Sequence, residues 1–419
     1  MSTFVYILVA VLVFGVLIAV HELGHFLAAK ACGVRVNEFS IGMGPAIFKK
    51  KKGDTLYSLR CLPFGGFCAM EGEDEASTDP AALENQGFWA KLLIFAAGAF
   101  MNFLTGLIII FCLYVGAKAF TTPVINSFAD GCPLQGVLQA GDEIAAIDGE
   151  KIYVFSDVTM LLNLNQGESH DLTIIRGGEK TELSGVAMER REYTDQSGNQ
   201  YKGYGLNFTV EKATFGSRLR VSLANAADFV RMVRLSLQML VTGQAGVKDI
   251  SGPVGIVSVI TDVGQSSGST SAAVRNIAYL AAMIAVNLAV MNLLPLPALD
   301  GGKILFLVIN ALCMLVIRKR IPQKFESYVH VAGFALLMLL MLAVTIGAMV
   351  AKKHPILMAV IVYYGVVVLR SISFGCFLGS AAMKTFAGSL TVMDLTSLVV
   401  MAGSYFAIYY LTSRKLNLT

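Results

Sequence analysis

A chain of 419 residues that is 55% hydrophobic and only 15% charged, with a mean hydropathy of +0.65, is too apolar for an ordinary water-soluble protein and fits a polytopic membrane protein. The net charge of +4 does not point to nucleic acid, because the lysines and arginines cluster at the ends of apolar stretches without interleaved aromatics. The seven cysteines, at 32, 61, 68, 112, 132, 313 and 376, are odd in number and contain no C-x-x-C pair, so no disulfide framework or zinc ribbon is implied.

The first predicted element is a membrane-spanning helix from Phe4 to Cys32. It has no basic stretch before it and runs on into polar residues instead of a small-residue cleavage site, so it reads as a retained span and not as a secretory signal. His21-Glu22-Leu23-Gly24-His25 sits toward its far end. On a helix, residues four apart share a face, so the two imidazoles can converge on one metal ion with Glu22 beside them as a general base. At about 1.5 Å per residue, His21 lies roughly 25 Å from the start of a hydrocarbon core about 30 Å thick, just inside one membrane face.

Val36 to Met70 reads as short strands punctuated by Gly42, Gly44-Pro45, Gly53-Asp54 and Pro63-Phe64-Gly65-Gly66. This stretch is too apolar for an ordinary cytoplasmic loop and is expected to dip into the membrane beside protein, where irregular backbone can be satisfied. Its segment Leu56 to Cys61, with Tyr57 and Leu59, is expected to offer an open strand edge to an extended peptide. Glu71 to Glu84 is acidic and aqueous, and Leu92 to Val115 is the second predicted span.

Thr121 to about Val210 is different material, with alternating short strands, turns and charges and no spanning segment, and it predicts one small domain inserted between spans. Within it, Gly141-Asp142-Glu143-Ile144-Ala145-Ala146-Ile147-Asp148-Gly149 is similar to the G-D-x-I-x-x-I-[ND]-G run of PDZ domains and predicts a turn, a strand and a second turn. That run serves either a purely structural role or peptide binding by strand addition. Cys132 reads as a buried small residue. Phe215 to Val241 mixes leucines and valines with Arg218, Arg220, Arg231 and Arg234, which suits a helix lying at a membrane interface or packed on the inserted domain. Gly264 to Ser271 reads as a flexible connector, and no repeat of solenoid period is present.

Ile277 to Leu294 and Gly333 to Ala351 are the third and fourth predicted spans. Lys30, Arg35, Lys49 to Lys52, Arg60 and Lys91 lie between the first two, and Arg318, Lys319, Arg320 and Lys324 precede the fourth. Basic residues mark the cytoplasmic side, so both regions are expected there and the inserted domain outside. Two histidines leave a catalytic zinc one protein ligand short. His170, His330 and His354 have no partner at ligand spacing and read as packed or solvated. Asp300 directly follows a span, where a carboxylate is costly unless paired; it is either a metal ligand or the N-cap of a helix from Gly301 to Val316.

With H-E-L-G-H in the first span and Asn292-Leu293-Leu294-Pro295-Leu296-Pro297-Ala298-Leu299-Asp300-Gly301-Gly302 at the third, the chain resembles the site-2 protease family of intramembrane zinc metalloproteases. The match is to the bacterial branch with a PDZ insert, the regulator-of-sigma-E protease type. Phe39 to Pro45 and Pro63 to Phe67 look like the family's membrane-associated β-loop, Ala96 to Asn102 like its second-span motif, and Ser251 to Ile256 like its G-P-V-G segment. The resemblance covers roughly Met1 to Ala351. It implies that His21, His25 and Asp300 hold Zn2+, that Glu22 is the catalytic base, and that Asn292 and Asn287 hold the substrate backbone; both asparagines also read as span-packing amides. Pro295 and Pro297 are expected to break the helix so that Asp300 can turn back toward the metal. The chain departs from the pattern in Asp130-Gly131-Cys132-Pro133-Leu134, which replaces the usual A-x-x-A-G-L approach to the PDZ strand, and in the residues after Lys352.

The expected fold is a polytopic α-helical membrane protein: four core transmembrane helices, a membrane-associated β-hairpin loop, an extracytoplasmic PDZ-like α+β domain and one or two extra C-terminal hydrophobic helices. The expected divisions are 1–120 for the first half of the protease core, 121–212 for the PDZ-like domain, 213–272 for the amphipathic helix and linker, 273–351 for the second half of the core, and 352–419 for the extension. The expected activity is hydrolysis of peptide bonds within or beside the transmembrane segment of single-span membrane proteins, such as anti-sigma factors or signal-peptide remnants, in a bacterial inner membrane. Its partners are those substrates, the lipid bilayer and a peptide ligand of the PDZ-like domain, with no nucleic acid. A transport protein would spread ionisable residues across the bilayer, whereas here they gather at one depth. A catalytically silent scaffold would not need Glu22.

Overall fold

A computed structural model of the chain describes residues 3–73, 77–164, 167, 169–194, 200–244, 253–319 and 321–352. The expected extension therefore falls, apart from its first residue, outside the described residues, as do Ser251 and Gly252.

In chain order the elements are α1 (Thr3–Ala31), β1 (Val36–Lys52), β2 (Thr55–Met70), α2 (Phe88–Val115), β3 (Ala119–Phe128), β4 (Glu143–Ile147), β5 (Glu150–Lys151), α3 (Ser156–Leu164), β6 (Ser169–Arg176), β7 (Glu179–Ala187), β8 (Arg191–Thr194), β9 (Gln200–Gly203), β10 (Leu206–Lys212), α4 (Phe215–Val241), α5 (Pro253–Ser266), α6 (Thr270–Asn292), α7 (Asp300–Val316) and α8 (Gln323–Lys352). Among the described residues, α1, α2 and α6 are long and apolar enough to cross a membrane, and α8 carries a shorter apolar stretch, Phe325–Leu339. The chain is therefore a multi-pass membrane protein.

Two compact units divide the chain, one made of Met1–Asn102, Leu235–Ile277 and the residues from Leu288 onward, the other of Phe103–Arg234 and Ala278–Asn287. In the first, α1 buries Tyr6, Ala10, Leu17, Gly24, His25 and Ala28 along one stripe, while Leu8, Leu12 and Val16 stay exposed as lipid-facing residues would. The stretch read as a connector from Gly264 is instead partly helix. Proline opens α5 where a missing N–H costs nothing, and Gly264 lies near its end with the Tyr6 hydroxyl donating to its carbonyl at 2.8 Å. Only the residues from Ser267 to Ser269 connect α5 to α6, and the Ser269 hydroxyl caps α6 by accepting from Ala272 N–H.

The strand pair β1 and β2 folds back on itself. Phe39 pairs with both Cys68 and Tyr57, and Ser40 with both Phe67 and Ser58, while Lys49 and Lys50 pair with Ser58 and Tyr57. The result is four short segments side by side in the order 48–52, 55–59, 36–41 and 66–70. Leu56 to Leu59 consequently has neighbours on both flanks and is not the open edge that its sequence suggested. Alternation of strand residues shows that a segment is a strand, but strand order depends on pairing between residues far apart in sequence. Among the described residues, Gly66–Met70 pairs on one side only. The turns around Met43, Ile47, Phe48 and Leu62 expose their apolar side chains.

The second unit holds the inserted domain. Its principal sheet runs β10-β3-β4-β6-β7, with β5 paired to β4, and its core is built on Ile125, Leu138, Ile144, Ile147, Leu172 and Ile174 under Val158, Leu161 and Leu162 of α3. The run from Gly141 to Gly149 forms a turn, β4, and a second turn in which Asp148 and Gly149 take positive φ. Arg176 donates to both carboxylate oxygens of Asp142, each at 2.8 Å, and this guanidinium, helped by Gln139 N–H, holds the Asp142 carboxyl below its ordinary range. Cys132 is buried, as its sequence setting suggested, and its thiol faces the Tyr204 carbonyl.

Helix α4 packs on the inserted domain, the second of its two readings. It buries Ser222, Asn225, Asp228, Phe229 and Arg231, and exposes Phe215, Leu219, Leu223 and Val241. The buried side docks through charge. Arg231 contacts Asp157 at 3.0 Å, pairs with Asp228 and donates to the Lys151 carbonyl, while Asp157 also accepts from the N–H groups of Tyr153 and Val154. His170, one of the histidines set aside as a ligand, is buried and bonded to Asp148 at 2.7 Å.

Candidate active site

The H-E-x-x-H motif lies wholly inside α1, so the helix delivers both imidazoles to one face, and their Nε2 atoms stand 3.1 Å apart. The carboxylate of Asp300 joins them, with Oδ2 at 3.1 Å from His21 Nε2 and 3.3 Å from His25 Nε2. Asp300 opens α7 directly after a turn that α6 and the two prolines force, since proline supplies no N–H to prolong a helix. It is not the cap of that helix: the N-cap position is Leu299, and no side chain caps it. The carboxylate is thereby left to face the histidines.

These three atoms suit a tetrahedral zinc ion. Bonds of about 2.0–2.1 Å to nitrogen and oxygen put neighbouring ligand atoms about 3.3 Å apart, close to the separations of 3.1 and 3.3 Å here. The tautomers agree with that use. His25 Nδ1 lies 2.8 Å from the Ile94 carbonyl, so the ring donates there and keeps a lone pair at Nε2. Lone-pair atoms this close repel one another unless a proton or a cation sits among them, and Asp300 Oδ2 is buried without a hydrogen-bond partner among the described residues.

Three residues that shape the site are not evident from motif spacing. Gly98 of α2 faces the cluster so closely that a Cβ there would lie 2.8 Å from His21 Nε2 and against His25 Nε2. Asn102, one turn on and buried, has Nδ2 at 3.4 Å from His21 Nδ1, and its Oδ1 is buried without a partner among the described residues. A half-turn of that amide lets His21 donate from Nδ1 to oxygen and keep Nε2 for a metal. His330 on α8 accepts the Ala298 N–H at 3.0 Å. Sequence marks Ala96 to Asn102 only as a motif and His330 only as a packed or solvated residue, because what each touches is set by helices distant in sequence.

The remaining site residues spread more widely. Glu22 lies beside Gly66, where a Cβ would come 3.5 Å from Glu22 Cγ. Asn292 is half-buried at the end of α6, and Asn287 is exposed on the same helix. Tyr57 packs edge-on against Phe26 with ring centroids 5.9 Å apart, and Leu59 is 48% exposed. Beyond the cluster, Lys303 of α7 binds Glu73 at 2.6 Å, tying the end of the β-loop to the helix that begins with Asp300.

Two histidines on a helix long and apolar enough to cross a membrane, a carboxylate within reach of both and a glutamate between them match a zinc-dependent peptidase built among membrane helices. The model for "Peptidase family M50" matches residues 9–340, and the chain belongs to that family. A Clostridium perfringens protein carrying the name zinc metalloprotease is 38% identical over 81% of this chain and 97% of its own length. A zinc metalloprotease RasP of Geobacillus kaustophilus is 30% identical, over 80% of this chain and 95% of its own. The regulator of sigma-W protease RasP of Bacillus subtilis is 28% identical, over 80% and 96%. The chain is an intramembrane zinc metalloprotease of the site-2 type.

Proposed function

We propose that His21, His25 and Asp300 hold the zinc, that Glu22 is the general base, and that the enzyme cleaves single-span membrane proteins within or beside their transmembrane helix. The observation that carries this reading is the convergence of the two Nε2 atoms and Asp300 Oδ2 on one point. When bound, zinc supplies Lewis acidity, which activates water and polarises a carbonyl. Glu22 takes the proton from the attacking water and passes it to the leaving amine. Gly98 keeps the open side of the cluster clear for the scissile carbonyl, and Asn292 and Asn287 hold the substrate backbone.

A helical substrate must be extended before its carbonyl can be reached. The strand Gly66–Met70 supports pairing with an unwound segment, since one flank has no partner among the described residues and its first residue adjoins Glu22. Tyr57 and Leu59, placed inside the sheet, are left to touch substrate through their side chains. The exposed apolar turns around Ile47 and Phe48 support immersion of this loop in lipid, and the exposed apolar face of α4 supports a position at the membrane surface.

The site lies toward the cytoplasmic face of a bacterial inner membrane and the PDZ-like domain lies outside, a reading supported by the basic residues from Lys30 to Lys91 and from Arg318 to Lys324. In the same reading α8 supplies a fourth span and residues 352–419 form an added hydrophobic element. The PDZ-like domain selects substrates by binding an extended segment of their outer portion, and the substrates are of the anti-sigma-factor or signal-peptide-remnant type.

Purified protein reconstituted in liposomes with a model single-span peptide tests the reading. Glu22→Gln should lose about 10²–10⁴-fold in cleavage rate while keeping its zinc. Equal cleavage by both proteins would overturn it.

A further inference from the structure

The residue that delivers the third ligand is held by a side chain from another helix. Ala298, two residues before Asp300, adopts a φ of 75°, a left-handed conformation that an L side chain rarely occupies. Its N–H has left the helical pattern of α6 and donates to His330 Nδ1 at 3.0 Å. The His330 ring lies on Phe306 of α7 with centroids 5.4 Å apart, and its Nε2 faces Glu326 at 4.0 Å. One turn along α8, Gly333 meets the preceding residue so closely that a Cβ would come 3.1 Å from the Pro297 carbonyl oxygen. The turn from Pro297 to Leu299 thus rests on α8 at two successive points, and only one of them is a hydrogen bond.

We propose that His330 is a positioning residue for the zinc site: by accepting the Ala298 N–H it holds the left-handed turn that aims Asp300 at His21 and His25. The inference rests on the reading of Asp300 as a zinc ligand. The chemistry requires a lone pair at Nδ1, and therefore the neutral imidazole with its proton on Nε2, the nitrogen that faces Glu326. Without the acceptor, Ala298 relaxes toward negative φ and the carboxylate two residues on turns away from the histidines. Glycine at 298 occupies the same φ without strain, so it makes the turn independent of His330.

Zinc dissociation constants of the full chain in detergent, measured by chelator competition, test this together with the visible spectrum of the cobalt-loaded protein, which reads ligand geometry. Asp300→Asn comes first and should weaken zinc binding strongly; unchanged affinity would remove the underlying reading and this inference with it. With that loss established, His330→Phe, which keeps a ring against Phe306 but has no acceptor, should weaken zinc about tenfold and alter the cobalt spectrum. His330→Gln, which restores an acceptor, should recover most of the affinity, and Ala298→Gly combined with His330→Phe should recover both affinity and spectrum. Wild-type affinity in His330→Phe, or a loss that neither partner change repairs, would overturn the proposal. If His330→Phe does not fold, Ala298→Val takes its place, since a β-branched residue opposes the same turn without altering α8; a tenfold loss is expected, and none would overturn the proposal.

Discussion

Two clusters of buried charge in this chain solve the same problem in opposite ways. In the second unit, Asp157 and Asp228 both contact Arg231, so the chain supplies its own cation to the cluster. In the first, His21, His25 and Asp300 bring two imidazole nitrogens and a carboxylate oxygen together at 3.1 to 3.3 Å, and what they face in common is a place for a cation from outside. The difference separates structure from chemistry. A guanidinium locked between two carboxylates can only hold α4 against α3 and β5. Lone pairs aimed at one point suit a metal ion.

The largest effect should come from removing the in-chain cation. Arg231→Met leaves two carboxylates buried without their partner and should cost about 3–5 kcal/mol of stability, read by thermal or denaturant unfolding in detergent. Zinc content of the folded fraction should not change, and a loss of zinc at unchanged stability would break the contrast between the clusters. A smaller effect, on binding and not on folding, is expected from Gly98→Ala. Its methyl group falls among the ligand nitrogens, so zinc affinity should drop by about 10- to 100-fold with little change in unfolding.

The smallest effect concerns acid. Asp142 is held below its ordinary carboxyl range by Arg176, so its contribution to stability is fully present above the unfolded pKa of about 3.9 and is lost as pH falls through the lower folded value. Hydrogen exchange at Gln139, whose N–H donates to Asp142 Oδ2 at 2.8 Å, reports it. Protection should persist below pH 4 and then fade, and Arg176→Gln should move that loss to higher pH. Fading at the same pH in both proteins would show that the pair does not control the turn.

Much of this was legible in the order of residues. His21 and His25 needed only the helical period to be placed together, because the helix that carries them is local. Asp300 could be singled out as a carboxylate beside a span, and the start of α7, with Leu299 at the N-cap position, removed its capping role. The strand character of Val36 to Met70 was readable from its glycines and alternation. Its order was not: Phe39 takes neighbours from both ends of β2, and that moved the free edge from Leu56–Cys61 to Gly66–Met70. The segment after Gly264 looked like a linker because small residues are ambiguous outside their packing, and the Tyr6 ring is what makes a glycine useful there.

By itself the sequence determined the membrane class and the placing of His21 and His25 on one helix face, since each depends on hydrophobicity or on spacing within one element. Tertiary structure alone decided that Gly98 stands against the two imidazoles, that Asn102 lies beside His21, and that the Ala298 N–H donates to His330. Those contacts join side chains from helices far apart in the chain, and no local period or composition encodes which residue faces which.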